Sequence, residues 1–245
     1  MSSFDGKVSV IGGAELYQGA EELTAPKYNV LAIHGLGSMG VQNAAWTCKQ
    51  EKEATSWLKN LLPIHAHCSR IMTFDYCCKA IHEGVSMDNI RGLATKLLDQ
   101  LLDMLEPSVY VVFIAHDLGG LIVKEALSIA IHSSRYHIIS GMTSLLVFFG
   151  TPHRVSGSKS WESIASWLLH VSGEDTPYSV QRIIKTAQML RAANEGFDSM
   201  KSMYRVINIL YQQISPSETA GALMWQVSAP LFPSIRLRFS QDGDA

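Results

Sequence analysis

The stretch His116-Asp117-Leu118-Gly119-Gly120 follows an apolar run at 109–115 and opens an apolar helical pattern at 118–131. A strand that breaks sharply into a helix, with small residues just past the turn, is the backbone that lifts a nucleophile in G-x-S-x-G. Here the central position holds an acid. The helix start beyond it offers backbone N–H groups and the positive end of its dipole. A second loop, His34-Gly35-Leu36-Gly37, closes the apolar run at 28–34. Together the two loops outline an anion pocket, with the Leu36 and Leu118 amides as donors and Gly35 and Gly119 allowing close approach. An acid so placed has three uses: it moves a proton, it attacks as a carboxylate nucleophile, or it marks a relict site on a binding domain.

Four further residues extend this constellation. His34 either fixes the first loop by hydrogen bonding or assists Asp117. His116 precedes the elbow residue and by strand alternation points away from it, so it is structural or touches substrate from the side. His153 and Arg154 follow the apolar run at 143–149, at the strand ends where such sites form. His153 is the second group that could assist Asp117, and Arg154 contacts substrate or pairs with a surface acid. The remaining histidines lie on helical or loop stretches without ligand spacing, so neither a metal nor a cofactor is expected. Gly35, Gly37 and Gly40 also spell G-x-G-x-x-G. A dinucleotide loop should open into a helix and meet an acid about 20 residues later, and Asp75 lies roughly twice as far along. That reading is set aside.

These loops need a rigid frame. Short apolar, β-rich runs at 28–34, 69–75, 109–115 and 143–149 suit strands buried on both faces of a parallel sheet. Between them, 50–62, 88–105 and 118–131 carry apolar residues at helical spacing; Asp88 is a candidate N-cap and Pro107 a stop. Helices at 161–170 and 179–193, a strand at 204–210 and a weaker one at 223–227 follow. The alternation predicts an α/β fold with a doubly wound, mostly parallel sheet and helices on both faces. One domain over 1–245 accounts for it, with a possible helical cap within 158–203 in which Trp161, Trp167, Met189, Met200 and Met203 are lining or core residues.

Composition narrows the rest. In 245 residues, 20 basic and 22 acidic side chains leave a net charge of −2 with both signs interspersed, so nucleic acid has no basic face to meet. Four cysteines, two of them adjacent, do not make a disulfide scaffold. No secretory leader and no run long enough to span a bilayer is read from the sequence, and a cytoplasmic protein acting on a small molecule is expected.

Three segments in order, His34-Gly35-Leu36-Gly37, His116 through Leu127 (HDLGGLIVKEAL) and Phe148-Phe149-Gly150-Thr151-Pro152-His153-Arg154, resemble the lipase/esterase-like α/β-hydrolases of filamentous fungi. The resemblance runs from about Val30 to Ser228 and implies an α/β-hydrolase fold. It also marks departures. Asp117 stands where that family has its serine, Gln212 where it has an acid, and no histidine follows His170, although the family's catalytic one lies after a Ser-Ala pair matched by Ser228-Ala229. The resemblance therefore implies a hydrolase fold turned to other chemistry, with proton transfer, isomerisation or cyclisation of a small apolar carbonyl compound leading and fungal secondary metabolism as a setting. Hydrolysis through Asp117 as nucleophile and a catalytically silent binding domain are the alternatives.

Overall fold

The computed structural model describes residues 6–12, 26–35, 46–50, 53–66, 68–76, 87–153, 160–171 and 179–209. Among these, eight strands form: β1 (Gly6–Gly12), β2 (Tyr28–Ile33), β3 (Thr47–Gln50), β4 (Glu53–Ser56), β5 (Ser69–Tyr76), β6 (Tyr110–His116), β7 (Thr143–Phe149) and β8 (Arg205–Ile209). Six make one sheet in the order β1-β5-β2-β6-β7-β8, in which β1 alone runs antiparallel. The central strands are the near-continuous apolar runs of the sequence, as strands covered on both faces must be.

The helices are α1 (Trp57–Asn60), α2 (Leu62–His65), α3 (Met87–Met104), α4 (Gly119–His132), α5 (His137–Met142), α6 (Trp161–Val171) and α7 (Val180–Asp198). α3 buries Ile90, Leu93, Leu97, Leu98 and Leu101, a spacing that lays one stripe on the sheet. α7 begins where Ser179 accepts a hydrogen bond from the Arg182 amide at 3.2 Å. The larger core joins α3, α4, α6 and α7 to one face of the sheet through Ile33, Phe74, Phe113 and Phe148. A smaller cluster on the other face gathers Trp46, Leu58, Ile71 and Ile114. This is an α/β-hydrolase fold: a mostly parallel sheet, a leading antiparallel edge strand, and an elbow after a central strand.

Topology also locates a crevice. β2 leads outward to β5, whereas β6, its other neighbour, leads the opposite way to β7. Two adjacent strands whose C-terminal loops diverge leave a gap between them, and ligands of open α/β sheets bind there. His34 and Asp117 stand at those two strand ends.

Some expectations need correction. The helix read over 50–62 is instead the β3–β4 hairpin followed by the single turns α1 and α2. Leu58 is fully buried but Leu61 is 50% exposed, so the apolar spacing there does not make one buried stripe, and Pro63 starts a new turn. β1 carries no two-residue signal in the sequence because it is an edge strand: Val8 and Val10 share a face, yet Val8 is buried and Val10 exposed. α7 extends to Asp198, five residues beyond the expected end. The stretch considered as a cap supplies α6 and α7, whose Ala165, Leu168, Met189 and Phe197 join the larger core. Leu36, Arg154, Gln212, Ser228-Ala229 and the strand at 223–227 lie outside the described residues.

Candidate functional site

Asp117 has a φ of 50°, and besides Ser108 it is the only described non-glycine residue in the left-handed region. That conformation costs an L-residue about 1–2 kcal/mol and persists only where neighbours enforce it. Three hydrogen bonds do so. The Asp117 amide donates to the Phe149 carbonyl at 2.8 Å, and its carbonyl accepts from the Gly120 amide at 3.1 Å and from Thr151 Oγ1 at 3.1 Å. The turn is thus held by the end of β7 and by the first helical bond of α4. Ahead of that bond, the Leu118 and Gly119 amides have no intrahelical acceptor and stand at the positive end of the helix.

Close approach explains the glycines. A Cβ on Gly119 would collide with the carbonyl oxygens of Ile33 and His34, and one on Gly120 with the Thr151 side chain. A Cβ on Gly35 would lie 2.5 Å from Asp117 Cβ and 2.9 Å from its Oδ2. The first loop therefore rests directly on the elbow, and the carboxylate faces Gly35. Asp117 itself is only 5% exposed.

His34 is buried, with its ring stacked on Tyr76 at 4.3 Å. Its Nδ1–H donates to the Gly35 carbonyl at 3.0 Å, while Nε2 accepts from the Tyr76 amide at 3.4 Å. The Tyr76 hydroxyl closes the ring of contacts by donating to the His34 carbonyl at 2.7 Å. One neutral tautomer satisfies both bonds, and burial holds the pKa of His34 below its ordinary value. Both ring nitrogens of His34 are thus engaged, one within its own loop and one with β5. His116 turns to the smaller core, where its ring meets Trp46 edge-on at 6.4 Å. Burial lowers its pKa too, opposed by the adjacent Asp117 carboxylate and reinforced by His34. His153 places its ring edge-on to Phe148 at 4.9 Å.

The structure thus brings His34, Gly35, Asp117, Leu118 and Gly119 together where the two loops meet, turns the His116 ring to the smaller core, and ties His153 to the elbow through the Phe149–Thr151 segment. Three residues to which the sequence reading gives no role also bear on this arrangement: Tyr76, and Thr151 and Lys124 within the motif segments. The last has a legible signal. In the mostly apolar first three turns of α4 only Lys124 and Glu125 carry a charge, and they are 1% and 6% exposed. Glu125 accepts from Arg91 at 2.9 Å. Lys124 Nζ donates to the Pro152 carbonyl at 3.1 Å and to Asn194 Oδ1 at 2.5 Å. Tyr76 and Thr151 act through contacts that only the fold creates. Among the described residues, no group of three His, Cys, Asp or Glu side chains could hold a metal ion. No helix there is long and apolar enough to cross a membrane.

No protein-family model matches the chain. A stretch is 38% identical to the ankyrin repeat domain-containing protein SAT10 of Stachybotrys chartarum, covering 24% of this chain and 4% of that protein's length. Among solved structures, Thermogutta terrifontis esterase 2 aligns with 86% of this chain and 81% of its own, at a TM-score of 0.43 and 9% identity. Esterase B from Lactobacillus rhamnosis aligns with 84% of this chain and 75% of its own, at 0.38 and 12%. The NocB thioesterase domain aligns with 86% and 90%, at 0.37 and 10%.

Proposed function

We propose that this chain is a cofactor-independent enzyme on a hydrolase fold, in which Asp117 moves a proton on a small, largely apolar carbonyl compound. The observation that carries this reading is the placement of Asp117: a carboxylate held at positive φ, almost fully buried, against a glycine loop and a helix start. Burying a charge is costly, and a strained turn is costly again. Glycine at 117 would build the same turn without either penalty, so the acid is there for its chemistry.

In the proposed reaction the Asp117 carboxylate takes a proton from the carbon next to the substrate carbonyl. The electron pair moves onto the carbonyl oxygen, where the Leu118 amide, the Leu36 amide and the end of the α4 dipole stabilise the enolate. With a β,γ-unsaturated ketone, returning the proton to the γ-carbon of the dienolate gives the conjugated isomer. With a second carbonyl in the same molecule, attack of the enolate carbon on that carbonyl carbon closes a ring, the C=O π bond opening to an alkoxide that takes the proton back from Asp117. His153 assists by placing a second polar group beside the elbow, and Gly35 and Gly119 let the two loops approach each other closely.

The test works with simple model substrates. Small apolar ketones are incubated with the protein in D2O, and loss of their α-protons is followed by 1H NMR. Exchange above the buffer rate in the wild type, lost in Asp117→Asn, is expected. Equal exchange in the variant and the wild type would remove Asp117 from the reaction.

The same placement favours a second reading, because the carboxylate occupies the position of an elbow nucleophile. In that case Asp117 attacks an ester, epoxide or halide carbon and forms a covalent ester on the enzyme. Intact-mass detection of an adduct on Asp117 under single-turnover conditions separates the two, since proton transfer leaves none.

A further inference from the structure

Lys124 lies one turn beyond Gly120 on the same face of α4, and none of the steps above uses it. Its ammonium is 1% exposed, over the Phe148 ring at 5.5 Å and the Phe197 ring at 5.6 Å. Its two oxygen acceptors belong to different elements. Pro152 O is in the segment leaving β7, and Asn194 Oδ1 is on α7, where the Asn194 amide group donates in turn to the Leu190 carbonyl at 2.7 Å. Phe148, under the ammonium, is also the ring against which His153 packs. Thr151, one residue before Pro152, holds the Asp117 carbonyl and fills the space above Gly120.

We infer that Lys124 is a positioning residue: by holding the Pro152 carbonyl it sets where Thr151 and His153 stand relative to Asp117. The chain of contacts is short and continuous, from Lys124 to Pro152, back one residue to Thr151 and across to Asp117, and forward one residue to His153. A charge buried here is an odd choice for stability alone, since apolar residues of similar volume commonly replace buried charges without loss. It is a good choice for fixing a carbonyl that carries no side chain to grip. The charged group facing Lys124 is Asp198 on α7, which favours the ammonium; the titratable His153 imidazole packs on the same Phe148 ring, and Glu125, the lysine's neighbour in α4, pairs with Arg91. The inference rests on the proposed function only for the part His153 plays.

The experiment is Lys124→Met in the full chain, read by NMR. Without the pin, hydrogen exchange at the Asp117 and Gly150 amides is expected to rise about tenfold or more, as one charge-assisted bond is lost. The His153 ring resonances move, while the thermal midpoint holds or rises. A fall in midpoint with unchanged exchange and an unchanged His153 ring would overturn the inference and leave Lys124 a stability element. If Lys124→Met does not fold, the Pro152 carbonyl carbon is followed in His153→Phe from about pH 6 to 9, across the range where a buried lysine can titrate. A shared midpoint with Lys124 Cε is expected, and a Pro152 carbon that ignores the lysine refutes the pin. Exchange of ketone protons in Asp117→Asn is decided separately, so loop release with no Asp117 dependence would sink the proposed function and leave the positioning role standing.

Discussion

If Asp117 is kept for chemistry, removing it should not weaken the fold, and two substitutions separate the reasons. Asp117→Ala takes away the buried carboxylate but keeps a side chain at φ 50°. A carboxylate that serves structure, bonded to fixed donors, would make this step cost about 1.5–3 kcal/mol. A carboxylate serving a substrate makes it cost less than about 1 kcal/mol, because lost contacts and relieved desolvation offset each other. Asp117→Gly then removes the backbone strain. Positive φ costs alanine about 1–2 kcal/mol, and glycine gives back about 0.5–1 kcal/mol through its greater freedom when unfolded. Glycine should therefore exceed alanine by about 0.5–1 kcal/mol. At roughly 2–4 °C per kcal/mol for a chain this size, that is a rise of about 1–4 °C in thermal midpoint. Urea and thermal unfolding of the three proteins provide the measurement. A loss beyond about 2 kcal/mol in the alanine variant would refute the argument, since the carboxylate would then be a structural tie.

Gly119→Ala should cost about 1–3 kcal/mol or more, because its Cβ meets two backbone carbonyls that cannot step aside, whereas Gly92→Ala, in open space on α3, should gain about 0.5–1 kcal/mol in urea unfolding. His34 and His116 are held below their ordinary 6.5, so the unfolded chain takes up protons first as the pH falls through that value. Stability should be unaffected by these groups above that range and decline below it, and His34→Gln should reduce the decline between pH values of about 7.5 and 5. Burial pulls Lys124 down to about 7, while an unfolded lysine keeps its proton to about 10.4. Stability should thus rise with pH between those limits, by up to about 1.4 kcal/mol per pH unit, and denaturant midpoints of Lys124→Met should lack that slope.

Much of the frame was legible because burial on both faces leaves a strong mark. The runs that became β2, β5, β6 and β7 match their expected bounds within one residue, and 118–131 is offset from α4 by one. The run at 50–62 misled for a related reason: helical spacing of Ala54, Trp57, Leu58 and Leu61 says nothing about whether a sheet is there to receive all four. The elbow was legible too, since a strand, an acid, two glycines and an apolar helix admit few backbones.

Residue types in one dimension therefore determined the fold class, the turn at Asp117 and the need for small neighbours at Gly35 and Gly119. Tertiary structure decided what each polar group is doing. His34 finds the partner of its Nε2 in Tyr76, 42 residues away along the chain, a contact that no local pattern announces. Lys124 passed as one charge in an apolar helix until Pro152 and Asn194 arrived from separate elements to bind it. The physical reason is the range of the forces: backbone preference and hydrophobic period act over a few residues, whereas a hydrogen bond needs its partner within about 3 Å, and only packing brings distant residues that close.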